Sequence, residues 1–584
     1  MHLSGLSALA AAAVVLAACV APQPSAIHDV AETTAPAPSS GLGSFLAGKI
    51  ARSERDTSAA ADFYAAALAE DPSNQALLER TLFLQLAEGR LAVAEELAAR
   101  QIADTPQVPL ARMPLSAMAF RAGDMASARA HLERSGTVGG EAYTEALLLV
   151  WSRLVQPLML AWARLGEGDA DAALAALEAL PGGNLFDAFG LYHTALINDV
   201  AGRDEAAETA YKAALDSDAR NATRLVLAYG ALLARQERRD EAQALFADYL
   251  RRLPDNAVIA AGYRTLQAGD VLPPPVADPV QGAAEALLGA AGALAREPSS
   301  EPSKVYIHLA LYLRPDLDDA HMLLAEIRES GEHYADANVA YAQLADGSPY
   351  FWESRIRTAA NLDRLEQTDT AIAALEAMAG ERTDDPSPLI AAADILRARE
   401  RYTDAVAVYD RAFARIPELR RRHWTLLYSR GIALERSKQW QRAERDFLQA
   451  LELRPDQPLV LNYLGYSWTE QGVNLDQARE MIEKAVAQRP NDGYVVDSLG
   501  WAYFRMGDYD EAVEHLERAV ELRPEDPVIN EHLGDAYWRV GRQLEAGFQW
   551  RRALTLGPAA EQVPFIEAKL SNGLPPAQPR PDNG

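Results

Sequence analysis

Residues 499–524 read LGWAYFRMGDYDEAVEHLERAVELRP, and residues 533–558 read LGDAYWRVGRQLEAGFQWRRALTLGP. The second stretch repeats the first after 34 positions, with the same or a similar residue at the structurally demanding places. The matched residues are Leu499, Gly500, Tyr503, Ala512, Leu516, Ala519 and Pro524, then Leu533, Gly534, Tyr537, Ala546, Trp550, Ala553 and Pro558. Small residues recur where two helices would cross, and a proline follows the second helix. A period of this length predicts helical hairpins stacked along the chain.

The same residue pattern continues upstream of residue 499, with fewer matching positions in each repeat. Second helices of earlier hairpins are predicted around Ala60, Ala94, Ala128, Ala173, Ala207, Ala242, Ala405, Ala443 and Ala478. Turn glycines precede several of them, at Gly89, Gly123, Gly168 and Gly202, where positive φ is wanted. A further hairpin is expected from 283–295 and 306–315. The spacing predicts about fourteen hairpins in all.

This pattern resembles the tetratricopeptide repeat (TPR) over residues 41 to 560. The resemblance implies an all-α solenoid of helical hairpins, wound as a right-handed superhelix with a concave groove. Residues 462–468, 497–501 and 530–535 also look like the C-terminal block of proteobacterial TPR lipoproteins. The resemblance implies a scaffold that binds other proteins rather than an enzyme.

The organisation expected along the chain has one prominent interruption. Gly269 to Pro279 contains four prolines and cannot be helical throughout. Either it separates two superhelical segments or it is a long loop within one continuous solenoid. The expected regions are a signal peptide at 1–18, a disordered tether at 19–40, an N-terminal solenoid at 41–256, a Pro-rich linker at 257–282, a C-terminal solenoid at 283–560, a capping helix at 561–571 and a disordered tail at 572–584.

The N-terminus predicts a lipid anchor. Leu6 to Ala18 is an apolar run of about 13 residues, too short for an ordinary membrane span. It ends in Cys19, the one cysteine of the chain. Leu16 to Cys19 resembles a lipobox, which implies palmitate or similar lipid on Cys19 and attachment to the outer membrane, facing the periplasm. The alternative is an alanine-rich helix in a soluble periplasmic or cytoplasmic protein, and His2 is the only basic residue before the run.

Composition and motifs argue against several function classes. The formal charge of -27 disfavours nucleic acid as a general partner. One cysteine and unpaired histidines offer no metal cluster, and no phosphate-binding loop or nucleophile elbow is present. Nearly every stretch is already assigned to a repeat. We therefore expect a non-catalytic protein with no cofactor, no metal and no small-molecule substrate.

The candidate binding residues lie on the first helix of each of the last hairpins, at positions not needed for packing. They are Tyr428, Arg436, Asn462, Tyr466, Tyr494, Asp497, Trp501, Arg505, Glu531, Asp535, Trp538 and Arg539. Tyrosine, tryptophan and arginine are the residues that dominate binding hot spots. The alternative is that the two tryptophans fill gaps between hairpins. Asp497 stands where a carboxylate-clamping TPR would need a cation or an amide.

A basic segment is a second candidate surface. Residues 401 to 454 contain 12 Lys and Arg against 7 Asp and Glu, and Arg420, Arg421 and Arg422 are the densest point. They would suit an acidic partner or a polyanionic envelope polymer, or else form a solvated loop. The sequence thus favours a scaffold for partner proteins in the cell envelope. The alternative is an accessory or activating subunit of a pilus, exopolysaccharide or peptidoglycan assembly machine.

Overall fold

A computed structural model describes residues 40–136, 145–217, 222–295 and 301–576. The predictions for the signal peptide, for Cys19 and for the tether up to residue 39 lie outside the described residues. So does the predicted tail from residue 577 onward. Within the described ranges the regular secondary structure is entirely helical, as the sequence predicts.

The chain forms two compact units, one up to Thr370 and one from Ala371. The helices of unit 1 are α1 (Gly41–Ser53), α2 (Thr57–Glu70), α3 (Gln75–Ala87), α4 (Leu91–Asp104), α5 (Pro109–Arg121), α6 (Met125–Glu133), α7 (Glu145–Gly166), α8 (Ala170–Ala176), α9 (Asn184–Val200), α10 (Asp204–Asp216), α11 (Thr223–Arg235), α12 (Arg239–Arg252), α13 (Ala257–Ala268), α14 (Pro279–Leu294), α15 (Glu301–Leu313), α16 (Asp318–Ser330), α17 (Tyr334–Tyr341) and α18 (Phe351–Arg364).

The boundary falls within α19 (Thr368–Glu381). The remaining helices, all in unit 2, are α20 (Ser387–Ala398), α21 (Tyr402–Ala414), α22 (Trp424–Arg436), α23 (Trp440–Leu453), α24 (Pro458–Gln471), α25 (Leu475–Gln488), α26 (Gly493–Met506), α27 (Tyr509–Leu522), α28 (Pro527–Arg539), α29 (Gln543–Thr555) and α30 (Val563–Asn572).

Consecutive helices pair into hairpins. We call the first helix of a hairpin its A helix and the second its B helix. Only α13 and α30 stand outside a pair, so the described residues contain fourteen hairpins, which confirms the expected number.

A glycine of each clear A helix lies directly over a bulky residue of its B helix. A Cβ added to Gly534 would come 2.5 Å from the ring of Trp550, and one added to Gly500 would come 2.6 Å from Leu516. Contacts this short leave room only for hydrogen. The recurring pair of a small residue and a bulky residue 16 positions later therefore records the crossing point of each hairpin.

The turns inside the hairpins explain why the sequence marks fade. Gly89, Gly123, Gly168 and Gly202 all have positive φ, as predicted. Other hairpins place a charged residue in the same left-handed conformation, which non-glycine residues adopt uncommonly. These residues are Arg55, Glu237, Glu332, Glu366, Glu400 and Lys438. Because a charged residue takes the place of glycine at this position, these hairpins lack one of the marks on which repeat counting relies.

The structure differs from the expected linker at 257–282. That range contains the whole of α13 and the start of α14, and only residues 269–278 lie between them. Asp278 caps α14 by accepting the backbone N–H of Gln281 at 2.9 Å, and Pro279 begins the helix. Leu272 and Val276 are buried, so the connection packs on the core rather than separating two bodies. The division of the chain into two compact units falls instead between Thr370 and Ala371.

The hairpin of α14 and α15 covers the A helices that come before it in unit 1. Helix α14 packs on α7, α9 and α5, and α15 packs on α3 and α5. A Cβ at Gly282 of α14 would lie 2.2 Å from the Trp162 ring of α7. The Tyr306 hydroxyl of α15 donates to the backbone carbonyl of Leu147 at 2.8 Å. The A-helix face of these hairpins is thus filled by their own chain.

Charged groups are buried at the same contact. Arg224 of α11 donates to both carboxylate oxygens of Glu285 in α14 and to Asp319 of α16, the last at 2.6 Å. Glu285 is only 4% exposed. Burial opposes ionisation of Glu285, but the Arg224 guanidinium outweighs burial and lowers its pKa. A paired buried charge of this kind favours a single position of α14 on the earlier hairpins.

Among the described helices, α7 is long and apolar enough to cross a bilayer, judged by length and composition. Its most apolar window is 56% buried inside the protein, and Trp151 and Trp162 are fully enclosed. In this structure α7 is a core helix of unit 1.

Candidate protein-binding groove

The A helices of unit 2 carry the residues that the sequence analysis proposed as a groove. These helices are α20, α22, α24, α26 and α28, and each packs its glycine or alanine side against its B helix. Among the described residues, no segment comparable to α14 and α15 covers their opposite faces before the last hairpin. The proposed residues divide into three groups: those buried in the core, those engaged between neighbouring A helices, and those left accessible.

The sequence predicts Tyr428 as a groove residue, but the structure places it in the core. Its side chain is buried, and its ring packs 6.1 Å from Phe447 and 5.9 Å from Tyr463, measured between ring centroids. Tyr463 is a large residue on the next A helix, and Tyr428 packs against it in the space between hairpins. The periodicity could not foresee this, because it depends on the size of a neighbouring side chain.

Trp501 lies between three A helices and is half-buried. Its indole stacks on the His532 ring of α28 at 4.0 Å and on the Phe504 ring at 4.7 Å. Its Nε1–H donates to the carboxylate of Glu470 on α24. One face of this tryptophan therefore fills a gap between hairpins, which is the alternative that the sequence left open.

A buried ion pair lies beneath Trp501. The Nδ1 atom of His532 is 3.0 Å from Oδ1 and 3.1 Å from Oδ2 of Asp497. Burial alone would lower the pKa of His532, but the Asp497 carboxylate outweighs burial and raises it. Sequence reasoning named Asp497 and missed His532. The sequence did contain a signal for this pair: an acidic residue and a histidine lie 35 positions apart, which is close to the length of one repeat.

The proposed residues of the last A helix are covered by the C-terminal segment. Lys569 of α30 places its ammonium 2.7 Å from Glu531 and 2.6 Å from Asp535. A Cβ at Gly573 would collide with the Trp538 ring, and Arg539 donates to the carbonyl of Pro575 at 2.7 Å. The structure has a helix at the place predicted for the cap, and that helix closes the end of the groove.

The accessible residues lie on α22, α24 and α26. The Arg436 side chain is 59% exposed, and Arg505 is half-exposed while donating to the Glu470 carbonyl at 3.2 Å. Tyr466 is half-buried between them, and burial followed by the nearby Glu470 and Asp497 carboxylates raises its pKa.

Asn462 and Tyr494 complete the proposed set. The Asn462 Oδ1 atom is buried without a hydrogen-bond partner among the described residues. Tyr494 is half-buried, and the Arg523 guanidinium lies 5.0 Å from its ring centroid. A buried carbonyl oxygen without a partner is costly, so Asn462 lowers the stability of this A-helix face.

The basic segment lies in the connection between α21 and α22. Arg421 to His423 form a single helical turn, and the backbone N–H of Arg420 donates to Nδ1 of His423 at 2.9 Å. Arg420, Arg421 and Arg422 are all exposed. The three arginines are thus presented on an ordered turn at the edge of unit 2. They do not join the residues of α22, α24 and α26 in one site.

Within the described residues, no group of three or more His, Cys, Asp or Glu side chains is placed to hold a metal ion. The arrangement as a whole is a row of hairpins whose A helices present aromatic, amide and guanidinium groups in a line. These features define a helical-repeat protein.

Comparisons with known proteins agree with this class. A family described as TPR repeat matches residues 500–541, and one described as tetratricopeptide repeat matches residues 424–457. A TPR repeat-containing protein of Pseudomonas aeruginosa is 28% identical over 192 residues. That match covers 33% of this chain and 32% of the relative, so the chain spans about a third of the relative's length. Residues 424–457 and 500–541 are therefore tetratricopeptide repeats, and the chain is similar to TPR-repeat proteins.

Solved structures with similar chains include the crystal structure of the APC/C hetero-tetramer Cut9-Hcn1. It has a TM-score of 0.37 and 16% identity, and it covers 86% of this chain and 97% of that chain. A tetratricopeptide repeat protein from Parabacteroides merdae has a TM-score of 0.34 and 16% identity, covering 44% and 97%. TPR repeats suggest a protein–protein interaction scaffold, and no enzymatic family is indicated.

Proposed function

We propose that this protein is a non-catalytic scaffold of the bacterial cell envelope that binds a partner protein along the A helices of unit 2. The observation that carries the proposal is the contrast between filled and open A-helix faces. Helices α14 and α15 cover the early hairpins, and α30 covers the last one. Between them, α22, α24 and α26 present Arg436, Asn462, Tyr466 and Arg505.

The chemistry of this open face suits a peptide segment. Arginines donate to carbonyl and carboxylate oxygens, and Tyr466 offers both a ring and a hydroxyl. Several hairpins acting together give cumulative affinity, with the largest contributions from aromatic and arginine anchors. An extended or helical segment of a partner would run across the three A helices.

The test is partner capture with variants that leave the fold intact. The double variant Arg436→Ala with Arg505→Ala removes two accessible guanidinium groups. Arg518→Ala is the matched control, because Arg518 is half-exposed on the B helix α27 and pairs only with its neighbours. Proteins captured by the wild type and by Arg518→Ala should be lost from the double variant. Equal recovery from all three would refute the proposed groove.

The location proposed for the scaffold is the outer membrane, facing the periplasm, through lipid on Cys19. Its support is the apolar run that ends in Cys19 and the Pro-rich segment that follows. A Cys19→Ala variant should lose both labelling by a fatty-acid probe and membrane fractionation, whereas Ser25→Ala should keep both. A labelled or membrane-bound Cys19→Ala protein would remove the anchor from the proposal and leave the groove untouched.

A further inference from the structure

Helix α30 and residues 573–576, together called the strap, cover a part of the last hairpin that corresponds to the groove of the hairpin before it. The covered residues each lie 34 positions, or one repeat, after a residue of α26: Glu531, Asp535, Trp538 and Arg539 follow Asp497, Trp501, Phe504 and Arg505 in that order. The strap therefore shows, on the chain's own last hairpin, how a helical segment can occupy the A-helix face.

A lysine is the charged anchor of the strap. The Lys569 ammonium lies 2.7 Å from Oε1 of Glu531 and 2.6 Å from Oδ2 of Asp535. The Asp535 side chain is 6% exposed, and burial raises its pKa even with this ammonium beside it. His532 also lies near Asp535, but its ring is hydrogen-bonded to Asp497. The two carboxylates of α28 therefore favour a covering segment that brings a cation.

The other anchors of the strap define its shape. Ile566 is fully buried, and Gly573 lies against an indole ring of α28 with no room for a Cβ. Ile566, Lys569 and Gly573 are spaced by three and four residues, as residues on one side of a helix are. Beyond the helix, the Pro575 carbonyl accepts from Arg539 at 2.7 Å. The shape that fits this surface is the end of a helix that carries an aliphatic residue, a lysine and then a glycine.

The strap is held by few groups. Apart from Ile566, each of its residues is half-buried or exposed. A helix with so few buried contacts can open locally at a smaller free-energy cost than unfolding of its unit. Opening would uncover the four residues of α28, which continue the line of A helices formed by α22, α24 and α26.

We propose that the strap is displaceable, and that the surface beneath it binds the C-terminal end of a partner protein's helix that carries a lysine followed by a glycine. The partner's lysine takes the place of Lys569 between Glu531 and Asp535, and its glycine takes the place of Gly573. Basic residues in the last turn and a glycine after it are common at helix ends. The inference rests on the proposed function, because it takes the A-helix face of unit 2 as the binding surface.

The test uses a fluorescent synthetic peptide of residues 561–576 and measures its anisotropy with full-length proteins. Lys569→Glu in the protein places a carboxylate against Glu531 and Asp535 and should release the strap. Its dissociation constant for the peptide should be about tenfold or more below that of the parent, whose own strap competes at high effective concentration. Lys484→Glu is the matched control at an exposed lysine of α25, and it should bind the peptide as the parent does.

Gly573→Ala in the protein should release the strap without changing a charge, because the new Cβ would overlap the Trp538 ring. This variant should also bind the peptide more tightly than the parent. A peptide with Lys569→Gln should lose binding to both released variants, whereas one with Glu567→Gln should keep it, because Glu567 is exposed on α30.

Three results would overturn the proposal: equal affinities of the parent and the released variants, no binding to any of them, or binding that ignores the lysine of the peptide. A dimer of the parent that the peptide dissociates would place the strap of a second copy in the site, and would also overturn it.

The peptide titration and partner capture fail separately. Lysine-dependent peptide binding, together with capture that ignores Arg436→Ala with Arg505→Ala, would support the strap site and remove the proposed groove. Capture that is lost in that double variant, without any peptide binding, would keep the groove and overturn the strap site.

Discussion

In both units the A helices of stacked hairpins form one face, but the two faces are covered to different extents. In unit 1 the face of the early hairpins is covered by α14 and α15, with Trp162 against Gly282 and Arg224 against Glu285. In unit 2 no segment of the described ranges covers the face across α22, α24 and α26, and α30 closes its end. Stacked hairpins create a groove in both cases. Whether that groove is a binding surface depends on what the same chain places in it.

The two coverings also differ in kind. The α14 contact buries charged and aromatic groups from several helices, so we expect it to be permanent. The α30 contact rests on Ile566, on one lysine and on the turn at Gly573. A terminal helix can detach locally without unfolding its unit. The following predictions test this difference, from the largest effect to the smallest.

Arg224→Ala should destabilise unit 1 most. It leaves Glu285 charged and buried without a counterion, and breaking one side of a buried pair costs about 3–5 kcal/mol. Urea unfolding should show this loss, and hydrogen exchange should rise throughout α14. Arg203→Ala is the control, because its partner Asp171 is largely exposed, and it should cost no more than about 0.5 kcal/mol. Comparable costs for the two variants would mean that α14 is not held by its charges.

Gly282→Ala should cost about 1–3 kcal/mol, because the new methyl group would overlap the enclosed Trp162 ring. Gly292→Ala lies in the same helix, and a Cβ there meets nothing within 4 Å. It should be neutral or stabilising by up to about 1 kcal/mol, since alanine favours the helix. Thermal unfolding of both variants measures the difference. Equal stabilities of the two variants would show that α14 is not tightly packed against α7 at Gly282.

Lys569→Ala should cost only about 1–2 kcal/mol, although Asp535 is as buried as Glu285. The reason is that α30 can open and let water reach Asp535. Hydrogen exchange should accelerate in α30 and at Trp538 while α24 stays protected. Lys484→Ala, at an exposed site on α25, should leave exchange unchanged. A global loss of protection in unit 2 would make α30 an integral part of the fold.

The pH dependence of unit 2 should reveal the His532–Asp497 pair. Because the folded state raises the pKa of His532, the pair stabilises fully below the unfolded value of about 6.5. Its contribution should disappear as pH rises through the elevated folded pKa. The melting temperature of the wild type should therefore fall over this range relative to that of Asp497→Asn. Parallel curves for the two proteins would show that His532 does not carry the charge.

Parts of the site followed the sequence, and parts did not. Arg436 and Arg505 are accessible at the places that helical periodicity assigns to the groove. Tyr428 is buried because Tyr463 and Phe447 close around it. Trp538 is covered because Gly573 and Pro575 fold back onto the last hairpin. Periodicity gives the direction of a side chain on its own helix, but not the bulk of what lies opposite.

The sequence by itself determined the repeat, because glycine over a bulky residue, a left-handed turn and a terminal proline are local features that recur in the clear hairpins. It also predicted a hairpin from 283–295 and 306–315, although the second helix begins earlier, at Glu301. Only the tertiary structure decided that this hairpin lies on α3, α5, α7 and α9 instead of continuing an open groove. An apolar face encodes the need for a covering surface and does not encode which one, since apolar burial has no direction. The choice comes from contacts such as Arg224 with Glu285, which join residues 61 positions apart.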